Sequence, residues 1–236
     1  MVKQIGIDYT AAVRQGAGIG RYTRNLIRAL SARDAHNRYT LFVAGRGTDD
    51  GLGAWPDNFR LRAVPISDRW LNIAWQRLRL PLPVQIVTGP LDLFHSPDFV
   101  LPPLMGTPAV LTVHDLSFLR VPHCFVPAFR DYLGKAVPHS VARARHILAD
   151  SDSTRRDLVE LLGVDPARVT VIYPGVEPRF RPVRDPETRA AVRARYDLPE
   201  RFVLGLSTLQ PRKNFEGLIA AFGVLLASKA AVPDVH

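Results

Sequence analysis

The sequence predicts an α/β protein built on a doubly wound, largely parallel sheet. Short β-rich runs alternate with stretches of helical period almost throughout, the pattern of parallel strands joined by crossover helices. A glycine-rich loop links the first such run to the first helical stretch. A proline-rich charged stretch late in the chain is followed by a fresh strand-then-helix pattern.

Taken in order, residues 3–8 (KQIGID) read as the first strand, and a helix follows the glycine loop over about 20–33. In it Ile19, Tyr22, Leu26 and Leu30 recur at three- and four-residue intervals, which gives the helix one sheet-packing face. Further strands are expected over 39–44, 59–64, 91–95, 108–113, 147–149 and 169–172, with helices over 127–145 and 152–162. Pro178, Pro182, Pro186 and Pro199 punctuate residues 177–199 around charged side chains, a composition suited to an interdomain linker with one short helix. The expected organisation is an N-terminal Rossmann-like domain over 1–180, a linker over 181–200 and the start of a second Rossmann-like domain over 201–236. That start comprises a strand over 202–206, a helix over 214–228 and the approach to another strand at 231–236.

Composition narrows the function classes. Of 236 residues, 47% are hydrophobic and 22% charged, enough apolar material for a core and too much for a disordered or collagen-like chain. One cysteine, Cys124, cannot form an internal disulfide, which fits a reducing compartment. The N-terminal MVKQIGIDYT does not resemble a signal peptide and no stretch approaches a transmembrane span, so a cytoplasmic chain is expected. The 31 basic residues against 22 acidic ones leave a formal charge of +9, nearly all of it arginine. Arginine suits bidentate contacts to phosphate and carboxylate. The arginines are scattered, however, and no nucleic-acid-binding motif accompanies them, so no nucleic-acid partner is expected.

Three clusters carry candidate chemistry. Gly16, Gly18, Gly20 and Arg21 lie between the first strand and the first helix, where small residues and free N–H groups let a backbone approach an anion; a tight turn without a ligand is the alternative. A third glycine in dinucleotide register would fall on Arg21, and Ala44-Gly45-Arg46 stands where a ribose-binding acid would close the second strand, so a dinucleotide oxidoreductase is disfavoured. His114 and Asp115 leave the carboxyl end of the strand PAVLTV, the edge at which open α/β sheets bind ligands. The alternative there is that His114 ends the strand and Asp115 begins a turn. Arg212 and Lys213 precede the second domain's first helix, where two cations reinforce a positive dipole end and suit a diphosphate. His95 reads as a structural residue. No histidine or cysteine spacing suggests a metal site, and neither a serine-hydrolase elbow nor a phosphate-binding P-loop occurs. On a helical wheel over 68–80, Trp70, Ile73, Ala74 and Leu78 gather on one side, a face that suits either an anionic membrane surface or the domain core.

The stretches GAGIGRYTRNL, LDLFHSPD, LTVHDLSFL, ILADSDSTRRDL, VIYPGV and LSTLQPRKN, in this order and spacing, resemble the family 4 retaining glycosyltransferases of GT-B fold. The resemblance implies a hexose, mannose among the candidates, passing from a nucleotide-diphosphate sugar to a polysaccharide or lipid-linked glycan, with the donor in the cleft between two domains. It also implies that Arg212 and Lys213 hold the donor diphosphate and that Gly16, Gly18, Gly20 and Arg21 approach the phosphates or the sugar. By the same resemblance His114 contacts sugar hydroxyls or positions the acceptor with Asp115 in support, Ser151 lies near the cleft, and no cofactor or metal is needed. The family's later E-x7-E element has no counterpart in these residues. A catalytically inactive binding module is therefore the competing expectation.

Overall fold

The computed structural model describes residues 1–45 and 55–228. Arg46 and the incipient strand at 231–236 lie outside the described residues. The chain divides into two compact units, one of Met1–Pro122 with Val126–Pro174 and the other of His123–Phe125 with the chain from Gly175 on.

The first unit is a seven-stranded sheet. Its strands are β1 (Gln4–Asp8), β2 (Arg38–Ala44), β3 (Phe59–Val64), β4 (Leu93–Ser96), β5 (Ala109–Val113), β6 (His146–Ala149) and β7 (Val169–Val171), in the order β3-β2-β1-β4-β5-β6-β7. Every neighbouring pair is parallel, with Ile7 of β1 opposite both Leu41 of β2 and His95 of β4. The chain winds outward from β1 to β3 and then restarts on β1's other side at β4. The strand order therefore reverses between β1 and β4, the crevice position where α/β sheets take ligands.

Burial explains why these strands form. Ile7, Leu41, Val43, Phe94, Leu111, Val113 and Ile147 are fully enclosed, as expected for parallel strands covered on both faces. Beyond β2, Tyr39 stacks on Phe59 at 4.3 Å between ring centres, and the Tyr39 hydroxyl donates to Asp34 at 2.6 Å. Gly6 lets Leu91 and Phe94 pack closely on β1, because a Cβ there would lie 2.5 Å from a Leu91 methyl and 2.8 Å from the Phe94 ring and would make them shift.

Helices complete the unit. A short α1 (Thr10–Arg14) occupies what the sequence presents as loop, and α2 (Gly18–Ser31) follows it. In α2 the fully buried stripe is Gly20, Thr23 and Ile27, rotated by one residue from the expected Ile19, Tyr22, Leu26 and Leu30, which are half-buried. Tyr22 packs edge-on against His114, just beyond β5. Next come α3 (Asp68–Asn72), α4 (Gln85–Thr88), α5 (Ser117–Arg120), α6 (Pro127–Arg143) and α7 (Asp152–Leu162). Beyond α3 the expected helix over 68–80 loosens into a π turn at Ile73–Arg77, closed by the Leu78 N–H on the Ile73 carbonyl at 2.8 Å. Trp75 packs against Phe42, while Trp70 and Leu78 stay 64% and 61% exposed.

The second unit holds α8 (Pro186–Arg195) and α9 (Phe215–Ala227). Residues 202–206, expected as a strand, form no ladder. A strand needs a neighbour for its N–H and C=O groups, and no strand among the described residues of this unit supplies one. Both helices start from side-chain caps. Asp185 accepts from the Thr188 N–H at 2.8 Å, and Asn214 accepts from the Gly217 N–H at 3.3 Å.

Candidate functional site

The carboxyl ends of β1, β4, β5 and β6 converge on His114. Its ring is enclosed by three elements. The Nε2–H donates to the Pro97 carbonyl at 2.9 Å, Nδ1 faces Asp150 Oδ2 at 3.4 Å, and the ring meets Tyr22 and Phe99 edge-on at 5.0 and 5.6 Å between centres. Burial works against a charge on this ring. The hydrogen bonds to Asp150 and Pro97, with the fields of Asp150 and Asp98, outweigh it and raise the pKa above the ordinary histidine value. Both ring nitrogens of His114 are thus engaged by protein, and its neighbouring acids favour the protonated ring more than water does.

The loop that grips His114 is tightly wound. Phe99 has φ +35°, a conformation that costs a bulky residue free energy and that clusters at functional sites. Ser96 Oγ donates to the Val100 carbonyl at 2.6 Å and closes the loop. Next to it Asp98 Oδ2 accepts from Gln15 Nε2 at 3.1 Å. Burial raises the Asp98 pKa, opposed by His114 and Gln15. Across the switch point Asp8 is pushed to about 6 by burial, against the hydrogen bonds from Thr10 and with help from Asp98. Asp8, Asp68, Asp98, Arg14, Asn72 and Trp75 line a small cavity of about 80 Å³.

The other expected residues take distinct places. Asp115 Oδ1 accepts from the Ser117 N–H at 2.9 Å and from its hydroxyl at 2.5 Å, so this carboxylate orders the turn into α5. Ser151 caps α7 by accepting from the Thr154 N–H at 3.1 Å. Its neighbour Asp150 is the residue that reaches His114, and Thr154 Oγ1 ties the two segments together by donating to the His114 carbonyl at 2.8 Å. His95 is buried in β4, with Nε2 2.9 Å from Thr112 Oγ1. Burial and the His114 charge push its pKa down to about 4, which keeps it neutral and structural.

The glycines divide by role. A Cβ on Gly20 would lie 1.9 Å from the Gln15 carbonyl and 2.8 Å from the Ala11 carbonyl, so this glycine lets α1 and α2 pack. Gly16 and Gly18 have nothing within 4 Å of a notional Cβ. Ala17, the N-cap of α2, offers no side-chain acceptor, so the first N–H groups of a fourteen-residue helix lack a side-chain cap beside open space. Arg24 braces the turn by donating to the Ala12 and Gln15 carbonyls.

Arg212 and Lys213 belong to the second unit and form the 3-10 turn Pro211–Lys213 that leads into α9. Arg212 Nε donates to Gln210 Oε1 at 3.1 Å. Asn214 takes φ +51° to start the helix, and a Cβ on Gly217 would lie 2.5 Å from the Asn214 side-chain amide and would displace the cap. Among the described residues no group of three or more His, Cys, Asp or Glu is placed to hold a metal ion, and no helix is long and apolar enough to cross a membrane.

A seven-stranded parallel sheet whose strand order reverses between β1 and β4, with His114 and the glycine turn at its carboxyl edge, defines the class: a doubly wound α/β protein. The chain belongs to Glycosyltransferase Family 4, whose model matches residues 16–180. It is 29% identical over 134 residues to the O-antigen chain mannosyltransferase B of Escherichia coli, covering 56% of this chain and 35% of that protein. It is 32% identical over 136 residues to the D-inositol 3-phosphate glycosyltransferase of Salinispora tropica, covering 55% of this chain and 28% of that protein. The fold is similar to that of HepE from Anabaena, solved in complex with UDP and glucose, with TM-score 0.61 at 17% identity over all of this chain and 60% of that one. The chain therefore spans about a third of the length of the curated relatives it matches.

Asp98, Asp150, Phe99 and Tyr22 carry the clamp, and reading the sequence did not single them out as site residues. Asp98 ends the stretch LDLFHSPD and Asp150 lies within ILADSDSTRRDL, so an acid next to the carboxyl end of a strand was the available signal.

Proposed function

We propose that the chain is the acceptor-side domain and the opening of the donor-side domain of a glycosyltransferase that moves a hexose, mannose in the first instance, from a nucleotide-diphosphate sugar to a glycan or lipid-linked acceptor with retention of configuration. The observation that carries this reading is the N-terminus of α2, free of a side-chain cap, whose Tyr22 packs against His114 at the switch point of a family 4 sheet. Loss of a nucleoside diphosphate builds negative charge on the leaving group and positive charge on the sugar ring. Fixed cations at the diphosphate stabilise that separation most. Arg212 and Lys213 fill this role in the second unit. Gly16 and Gly18 leave room for phosphate or sugar to approach the backbone of α2, Gly20 holds the turn in shape, and Arg21 adds charge at its first helical turn. His114 contacts sugar hydroxyls or positions the acceptor, Asp115 orders the loop that supports it, and Ser151 sets the helix that delivers Asp150. No metal is required, because the cations replace it.

The mannosyl preference rests on the E. coli relative, and the nucleotide-sugar donor draws support from the UDP bound by HepE. Exposed Trp70 and Leu78 with Arg69 and Arg77 suit peripheral contact with an anionic membrane at the cytoplasmic face, where a lipid-linked acceptor would be met. Co-sedimentation with anionic vesicles, lost in a Trp70→Ser, Leu78→Ser variant, tests that contact.

The decisive experiment is calorimetric titration of the 236-residue chain with UDP, GDP and their mannose and glucose conjugates, beside an Arg212→Ala, Lys213→Ala variant. Saturable binding lost in the variant is expected, and unchanged binding overturns the role of the two cations. A binding module without transferase activity is the second reading, favoured by a donor-side unit with no buried residue among those described. Transfer of labelled sugar by this chain to any glycan acceptor rejects it.

A further inference from the structure

A second concavity lies at the edge of the sheet opposite His114. Its volume is about 860 Å³, and it opens where three adjacent strands begin: Pro108 precedes β5, Arg145 precedes β6 at His146, and Arg168 precedes β7. Arg143, the last residue of α6, adds a third guanidinium. No acid lines this hollow, and none of the three arginines has an ion pair among the described residues. Asp165, the nearest acid in sequence to Arg168, accepts from the Ala167 N–H at 2.9 Å.

The arginines are held in place without being neutralised. Arg168 Nη2 donates to the Val141 and Ala144 carbonyls at 3.0 and 2.5 Å, and Arg143 donates to the Leu101 and Pro102 carbonyls. Carbonyl oxygens orient a guanidinium but carry no net charge, so the positive field is undiminished; burial lowers the Arg143 pKa with no acid to offset it. A guanidinium has five N–H donors. Donors on Arg168 and Arg143 beyond those atoms, and the whole of Arg145, make no side-chain hydrogen bond among the described residues. Cations that are already oriented bind an oxyanion at a reduced entropic cost.

We propose that this hollow is a binding site for a multiply charged oxyanion, a ligand bearing two or more phosphate or carboxylate groups, at the edge of the sheet remote from the carboxyl-end crevice. Its span of three strand starts matches a ligand larger than a single phosphate. Two sources share that chemistry, an inorganic polyphosphate and an anionic oligosaccharide.

The test uses the 236-residue chain carrying Arg212→Gln and Lys213→Gln, so that the second unit's cations cannot capture the probe. Tripolyphosphate and trigalacturonate are titrated calorimetrically into this protein and into the same protein with Arg145→Gln. Saturable, salt-sensitive binding of at least one probe is expected, weakened about tenfold by Arg145→Gln, because charge-assisted bonds are the strong ones. Preference for tripolyphosphate assigns the phosphate source, and preference for trigalacturonate the glycan source. Arg145 makes only a main-chain bond, to the Ala109 carbonyl at 2.8 Å, so the variant should keep its far-UV circular dichroism. Absence of saturable binding by either probe overturns the proposal, as does an affinity that Arg145→Gln leaves within about twofold, inside the error of a lost charge-assisted bond.

Discussion

The two units of this chain use the same helix-forming rules and reach opposite degrees of closure. In the first, α2 has both a cap problem and a packing solution: no side chain caps it, yet Gly20, Thr23 and Ile27 are enclosed against the sheet. In the second, α9 has a side-chain cap at Asn214 and an almost wholly apolar sequence, FEGLIAAFGVLLA, yet none of its residues is buried. Capping and propensity are local and act in both. Burial needs a partner surface, and among the described residues the sheet supplies it. A helix can therefore be well specified by its sequence and still draw little stability from it, since most helical stability in proteins comes from packing an apolar face.

The largest expected effect is a direct contrast between the units. Leu111→Ala, at a fully enclosed site in β5, should cost about 2–5 kcal/mol in chemical denaturation, whereas Leu226→Ala, 53% exposed on α9, should fall within about 0.5 kcal/mol of the unaltered protein. Equal costs would break the comparison. Hydrogen exchange sharpens it: amides of β1, β4, β5 and β6 should be protected to near the global stability, and those of α9 should exchange through local opening at much lower free energy.

Gly20→Ala comes next. The added Cβ meets backbone rather than a flexible side chain, so the cost should be about 1–3 kcal/mol, with α1 and α2 forced apart. Gly16→Ala and Gly18→Ala meet open space and should leave the thermal midpoint nearly unchanged while weakening nucleotide binding. If all three variants lose stability alike, the division between packing and ligand glycines is wrong. Within the second unit, Asn214→Ala should remove about 0.5–2 kcal/mol from α9, read as loss of helical circular dichroism, because the cap is what orders its first turn.

The smallest effects are pH-dependent. The folded His114 pKa is raised, so its contribution is fully present below the unfolded value near 6.5 and is lost as pH rises through the folded value. Asp150→Asn removes the partner, and the His114 imidazole signals in NMR should then titrate at lower pH, with burial no longer opposed by that acid. An unchanged titration would detach Asp150 from the clamp. Asp8 is also raised, to about 6, so its protonated form favours the fold and stability falls as pH rises through that value. Asp8→Asn should therefore raise the thermal midpoint at pH 8 more than at pH 4.

Much of the fold was legible because parallel strands announce themselves as short β-rich runs between helical periods. The strands expected over 39–44, 59–64 and 108–113 lie within a residue of β2, β3 and β5. The misses share one cause. The α2 stripe was displaced by one residue, the helix over 68–80 was loosened by a π turn, and the strand over 202–206 formed no ladder, each because a neighbouring surface decides the outcome. At the site, His114 was evident from its place at a strand end. Its partners were not, since Asp98 and Asp150 lie 16 and 36 residues away and meet it only when β4 and β6 flank β5.

By itself the sequence determined the α/β class, the glycine turn, the strand ends that bear polar residues and the motif order of family 4, all of which are local or short-range properties. Only the tertiary structure decided which of those polar residues act together. It engaged both ring nitrogens of His114, gave Ser151 to a helix cap and Asp150 to the histidine, and gathered three arginines at the far edge of the sheet. The physical reason is that charge, burial and hydrogen-bond partnership depend on distances through space, and strand order sets those distances.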